Sequence, residues 1–266
     1  METHSHHLHK APGKGWKHYI FEFLMLFLAV FCGFFAENIR EHRVEMRKET
    51  EYLRSLWLDL QNDTLALHHI ASGYIESNKN IDTLIQLLNS SDRNNSTCSI
   101  YRLALMIPFS DRLPQADNKT FEELKSSGNL RLIQDHQLLN DIGTYYQQYD
   151  MMNGGGPGQM LFQDRHDLYL YTYELFDASV FQKMFKLTRP APFTIPYNGP
   201  LTFPDTCLGK PPLRSNDPVI MNKICARYFY IQMTRQVLLR WINGMTKQAD
   251  GLLAKLQEDY HFGTRI

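Results

Sequence analysis

The sequence has no excess charge: 28 Lys and Arg balance 28 Asp and Glu over 266 residues. Without a net field there is no global attraction for nucleic acid or other polyanions, which excludes that class of partner. Cysteine is scarce, four residues in all, and no C-x-x-C spacing occurs, so a structural zinc site is not expected. Apolar and polar residues do not alternate as in a half-buried strand, which argues against a sheet. A catalytic signature is missing as well. The glycine-rich stretch Asn153-Gly-Gly-Gly-Pro-Gly158 lacks the Lys-Ser/Thr ending of a phosphate loop and follows a helical pattern. It is a break between helices.

Long hydrophobic runs are rare too, and the single one organises the chain. Residues 23–36 carry no charge. As a helix they cover roughly 21 Å, against a hydrocarbon core of roughly 30 Å. Tyr19, Ile20 and Phe21 supply the missing length and bring in Glu22, which can snorkel or take a proton. Trp16 and Tyr19 suit an interfacial belt, with Lys14 and Lys17 before the run and Arg40 and Arg43 after it. The expectation is a transmembrane helix over 18–39, with membrane lipid as its partner. A cleaved signal peptide does not fit, because around Phe34-Phe35-Ala36 the position three before a cut is phenylalanine instead of a small residue. Lys10, Lys14 and Lys17 face Arg40, Arg43, Arg47 and Lys48 across the span, which leaves the orientation open. Ala29, Gly33 and Ala36 form a stripe of small residues suited to self-association, and equally common in any span.

Residues 1–17 form a histidine-rich N-terminus. His4, His6, His7 and His9 can chelate a transition metal, and incidental affinity is expected there instead of a dedicated site. Residues 40–266 are read as a helical domain with a core of its own. Between Gly33 and Gly73 no Gly or Pro intervenes, so one long helix is expected to leave the span. Its amphipathic part carries a heptad-like seam of Leu53, Trp57, Leu60, Thr64, Leu67 and Ala71, followed by Ile81, Leu84, Ile85 and Leu88. Asp59 and Asp63, with His68 and His69 beyond, have the spacing of metal ligands. A solvated acidic face is the reading preferred for them, and no metal, cofactor or catalytic residue is assigned.

Further along, a helix over 100–107 ends at Pro108, and Thr120 with Glu123 fits a capping box whose helix stops at Gly128. Asp135 is an N-cap for a stripe of Leu138, Leu139, Ile142, Tyr145, Tyr146 and Tyr149. Another helix is expected over 159–186. Residues 187–218 hold eight prolines and form a long connection, either a partner contact or a packed crossover. A last helix over 217–260 presents Ile224, Tyr228, Ile231, Arg235, Leu238, Ile242, Met245, Ala249, Leu252 and Leu256 at heptad spacing. Arg235 interrupts that seam and calls for a carboxylate or sets register. Cys207 and Cys225 can pair in an oxidising compartment, and the odd count of three outside the span also fits reduced thiols. The fold class is all-α, a transmembrane helix continuing into an elongated antiparallel helical bundle.

Three stretches together resemble a known family. They are residues 22–42, the Tyr52-Leu-x-Ser-Leu-x-x-Asp-Leu-x-x-Asp-Thr64 segment, and Phe121-Glu-Glu-Leu-Lys-Ser-Ser-Gly-Asn-Leu-Arg-Leu-Ile133 with Tyr145 and Tyr146. The family is a bacterial group of single-span membrane proteins catalogued only as a domain of unknown function. The resemblance covers the N-terminal half and extends to the C-terminal half in layout; the glycine-rich break departs from it. It implies an N-terminus in the cytoplasm and a periplasmic domain, and it implies no activity. The expected function is non-enzymatic, through protein contacts in the envelope with an unknown protein partner or a second copy. The alternatives are a ligand-sensing extracytoplasmic module and a metal-dependent hydrolase built on Asp59, Asp63 and His68.

Overall fold

The computed structural model describes residues 15–187 and 209–262. The histidine tract, Cys207 and most of the proline-rich connection lie outside these residues. Among the described residues the structure is all-helical, and it divides into two units between Glu51 and Tyr52.

In the first unit, helix α1 (Trp16–Asn89) begins, and none of its residues from 16 to 40 is buried. Phe23, Phe27, Phe31 and Phe35 stack in succession, with ring centroids 6.4, 6.1 and 6.5 Å apart. Rings four residues apart lie one above the other on a helix, so this ladder follows from the spacing. This is the one helix among the described residues long and apolar enough to cross a membrane.

The second unit takes up the rest of α1, which runs through Gly73 without a break. Its buried seam is Leu53, Leu56, Leu60, Asp63, Leu67, Ile70, Tyr74, Ser77, Ile81, Leu84 and Leu88. The steps alternate three and four throughout. Four of the expected positions are therefore corrected: Trp57, Thr64, Ala71 and Ile85 are half-buried flanks. Starting with a step of three collects Leu56, Ile70 and Tyr74, which bury more apolar surface than Thr64 and Ala71. The same phase brings Asp63 and Ser77 inside, where both find partners.

A polar turn leads to α2 (Thr97–Met106), and Pro108 sits in the tight turn after it. The capping box expected at α3 (Lys119–Ser126) is not formed; the Thr120 amide donates instead to Asp59 Oδ2 at 3.2 Å, so the cap comes from α1. Gly128 does close this helix with a φ of 71°, a left-handed conformation that suits glycine. Helix α4 (His136–Gly154) starts at Asp135, whose Oδ1 accepts the Leu138 amide at 2.9 Å. A break at residues 155–156 precedes α5 (Pro157–Leu175).

The single helix expected over 159–186 is two. Phe176 turns to extended backbone and packs its ring on Tyr101 at 5.2 Å. Asp177 then caps α6 (Ala178–Leu187) by accepting the Ser179 amide at 2.8 Å. Burying Phe176 is worth about 1.5–3 kcal/mol, which outweighs a few continuous helical bonds that water replaces. The described end of the proline-rich connection is packed: Tyr101 donates to Pro212 O at 3.1 Å, and the Arg214 amide to Leu175 O at 2.9 Å. Helix α7 (Pro218–Tyr260) follows the N-cap Asp217, and all ten of its expected seam positions are buried.

Contacts along α7 come in reverse order along its neighbours. Cys225 and Gln232, with Phe262 just past the end of α7, meet Asn89, Asp82 and Trp57 of α1. Arg227 and Thr234 meet Asp167 and Asp164 of α5, while Gln248 and Lys255 meet Gln148 of α4 and its cap Asp135. Cys225 and Cys32 are free thiols and Cys98 is disulfide-bonded, so of the two alternatives left open for Cys225, a bridge to Cys207 or a reduced thiol, it is the thiol.

Candidate functional site

Two polar clusters sit on the α1 seam, where a heptad pattern would place leucines. The first is built around Asp63, which is 1% exposed. The Asp117 amide donates to its Oδ1 at 2.7 Å, and the Tyr145 hydroxyl to its Oδ2 at 3.1 Å. Tyr145 and Tyr149 share a hydrogen bond of 3.0 Å, and Tyr146 donates to Asp117 O at 3.3 Å. Burial pushes the Asp63 carboxyl up to about 6, against those two hydrogen bonds. Burial also raises Asp59 and the hydroxyls of Tyr145 and Tyr149, so the tyrosines stay protonated and able to donate.

The solvated acidic face expected for Asp59 and Asp63 is thus overturned: the seam phase turns Asp63 toward Tyr145 of α4 and the Asp117 amide, and half-buried Asp59 caps α3. The hydrolase constellation is not assembled either. His68 is exposed, and among the described residues no three His, Cys, Asp or Glu side chains gather as a metal site. The tyrosine stripe of α4 does form core with hydrogen-bonded hydroxyls, as such stripes do when a polar tip must be buried.

The second cluster answers the demand made by Arg235. Its guanidinium is fully buried; Nε donates to Asp111 Oδ1 at 2.7 Å and Nη2 lies 2.6 Å from the same oxygen. Nη1 donates to Ser77 Oγ at 2.8 Å, and Nη2 also donates to Ile107 O at 2.9 Å. Burial pushes the Asp111 carboxyl up, and the Arg235 guanidinium opposes that shift. Asp111 Oδ2 has no hydrogen-bond partner among the described residues and faces Arg165 Nε at 3.6 Å. The ion pair ties α1 and α7 to the turn after α2.

Sequence reasoning singled out Arg235 and missed Asp111, Ser77 and Asp117. A buried arginine demands a carboxylate, but nothing local marks which of 28 acidic residues supplies it. Chemically, Asp63 can hold or release a proton near neutrality, and the Arg235 pair can hold three segments in register. Neither carboxylate is open to a substrate in this conformation. No family model matches the chain, and comparison with curated proteins and with solved structures finds no match.

Proposed function

We propose that the chain is a single-span membrane protein whose helical domain acts through protein contacts in the bacterial envelope, with no chemistry of its own. The observation that carries this reading is the uncovered apolar start of α1: a stretch of that composition with no buried residue needs a lipid or protein environment. The reversed order of contacts along α1, α5 and α7 supports an elongated antiparallel bundle as the part outside the span. The disulfide-bonded Cys98 supports placing that bundle in an oxidising compartment, the periplasm of the inner-membrane topology that the family resemblance implies.

Both heptad seams are consumed within the domain, so they are not available for oligomerisation. Within the domain, self-association then falls to the outer side of α7, where Phe229, Tyr230 and Met233 are 50%, 51% and 51% exposed. Fusing a periplasm-active and a cytoplasm-active reporter after Ile266 tests the topology. Activity of the periplasmic reporter alone is expected; activity of the cytoplasmic one alone sinks the assignment. Crosslinking in native membranes tests the contact, with Phe229→Asp expected to reduce a dimer band. A band unchanged by that substitution moves the contact elsewhere.

A further inference from the structure

The second unit holds a cleft of about 210 Å³ between α2, α5, α6 and α7. Its walls include Leu105, Pro108, Leu168, Thr172, Phe181 and Tyr228. Among the described residues no charged side chain lines it. Tyr169, half exposed, also lines it, with its hydroxyl held by Arg165 at 3.4 Å.

Tyr228 is the anomaly in this lining. It is 1% exposed, and its hydroxyl has no hydrogen-bond partner among the described residues. The other deeply buried tyrosines are engaged: Tyr74 donates to Arg112 O at 2.6 Å, Tyr101 to Pro212 O, and Tyr145 to Asp63. Tyr228 instead lines an apolar cleft, where a bound molecule can meet its hydroxyl.

We propose that this cleft binds a small neutral molecule, aromatic or of comparable bulk, that is apolar except for one hydrogen-bonding group placed against the Tyr228 hydroxyl. The volume fits the class: an apolar cavity of about 150 Å³ accepts benzene, so the larger cleft takes a bicyclic ring. The lining fits it as well, since walls of aliphatic and ring carbon reject charge and favour a ligand with one polar contact to fix its orientation. Binding there is independent of the membrane topology and of any partner protein.

The test uses the full chain in lipid nanodiscs, titrated calorimetrically with 2-naphthol and with naphthalene, empty nanodiscs serving as the blank. Saturable binding of 2-naphthol at one per chain is expected. Tyr228→Phe should weaken 2-naphthol about tenfold, the worth of one hydrogen bond, and leave naphthalene within about twofold. Thr172→Trp and Leu105→Trp, each placed on a half-buried wall, should abolish both while the helical circular dichroism stays unchanged. Uptake no greater than by empty nanodiscs overturns the site. Binding that survives both tryptophan variants places it elsewhere and also overturns it, as does an equal loss of both probes in Tyr228→Phe.

Discussion

At the scale of single residues, the two buried carboxylates make opposite predictions. Asp111 is held by Arg235 with both groups fully buried. Asp111→Ala leaves a guanidinium uncompensated in the core, and a loss of about 3–5 kcal/mol in chemical denaturation is expected. The double variant Asp111→Leu, Arg235→Met removes both charges and should recover most of that loss. Asp63 has a folded value of about 6, against about 3.9 in an unfolded chain. The folded state therefore binds the proton more readily, and this group's contribution grows as pH falls from about 6 to about 4, where it is fully present. It is lost as pH rises through that folded value. The gap corresponds to about 3 kcal/mol at most. Melting temperature should rise between about pH 7 and about pH 5 in the wild type, and Asp63→Asn should flatten that rise. Asp59, also raised by burial, acts in the same direction and leaves a residual slope.

At the scale of elements, legibility in the sequence tracks how local the deciding interaction is. The α7 seam can be read in full because its ten positions repeat without a competing phase. In α1 two phases compete, since Leu56 and Trp57 are adjacent and so are Ile70 and Ala71; the choice rests on what α4 and α7 bring against it. The cap at Asp135 lies next to the helix it starts and is visible, whereas the Asp59 cap of α3 crosses 61 positions and is not. Nor is the cleft, whose walls come from four helices. The break between α4 and α5 offers a test at this scale. A Cβ on Gly158 would stand 2.6 Å from Met152 O and 2.9 Å from Leu113 Cδ1, whereas one on Gly154 meets nothing within 4 Å. Gly158→Ala should cost about 1–3 kcal/mol through overpacking. Gly154→Ala, inside the last turn of α4, should leave stability unchanged or slightly raised in thermal melts.

At the scale of the whole molecule, the cysteines make one prediction. With Cys32 and Cys225 free and Cys98 bonded, the unfolded, unreduced chain should titrate two thiols out of four. Four thiols in protein isolated from cells would withdraw the support that Cys98 gives to a periplasmic domain. The pairing of α1 with α7 has a consequence in time. Hydrogen-bonded partners across this pair are 136 to 158 positions apart. At about 5–20 residues per second, synthesis of the intervening chain takes roughly 10–30 s. Through that interval the α1 seam, with its row of leucines, exists without the helix that covers it. Loop closure over such separations slows folding further. The nascent chain is therefore a client for holding factors until its last helix is made, and a ribosome stalled within α7 leaves a species prone to aggregate.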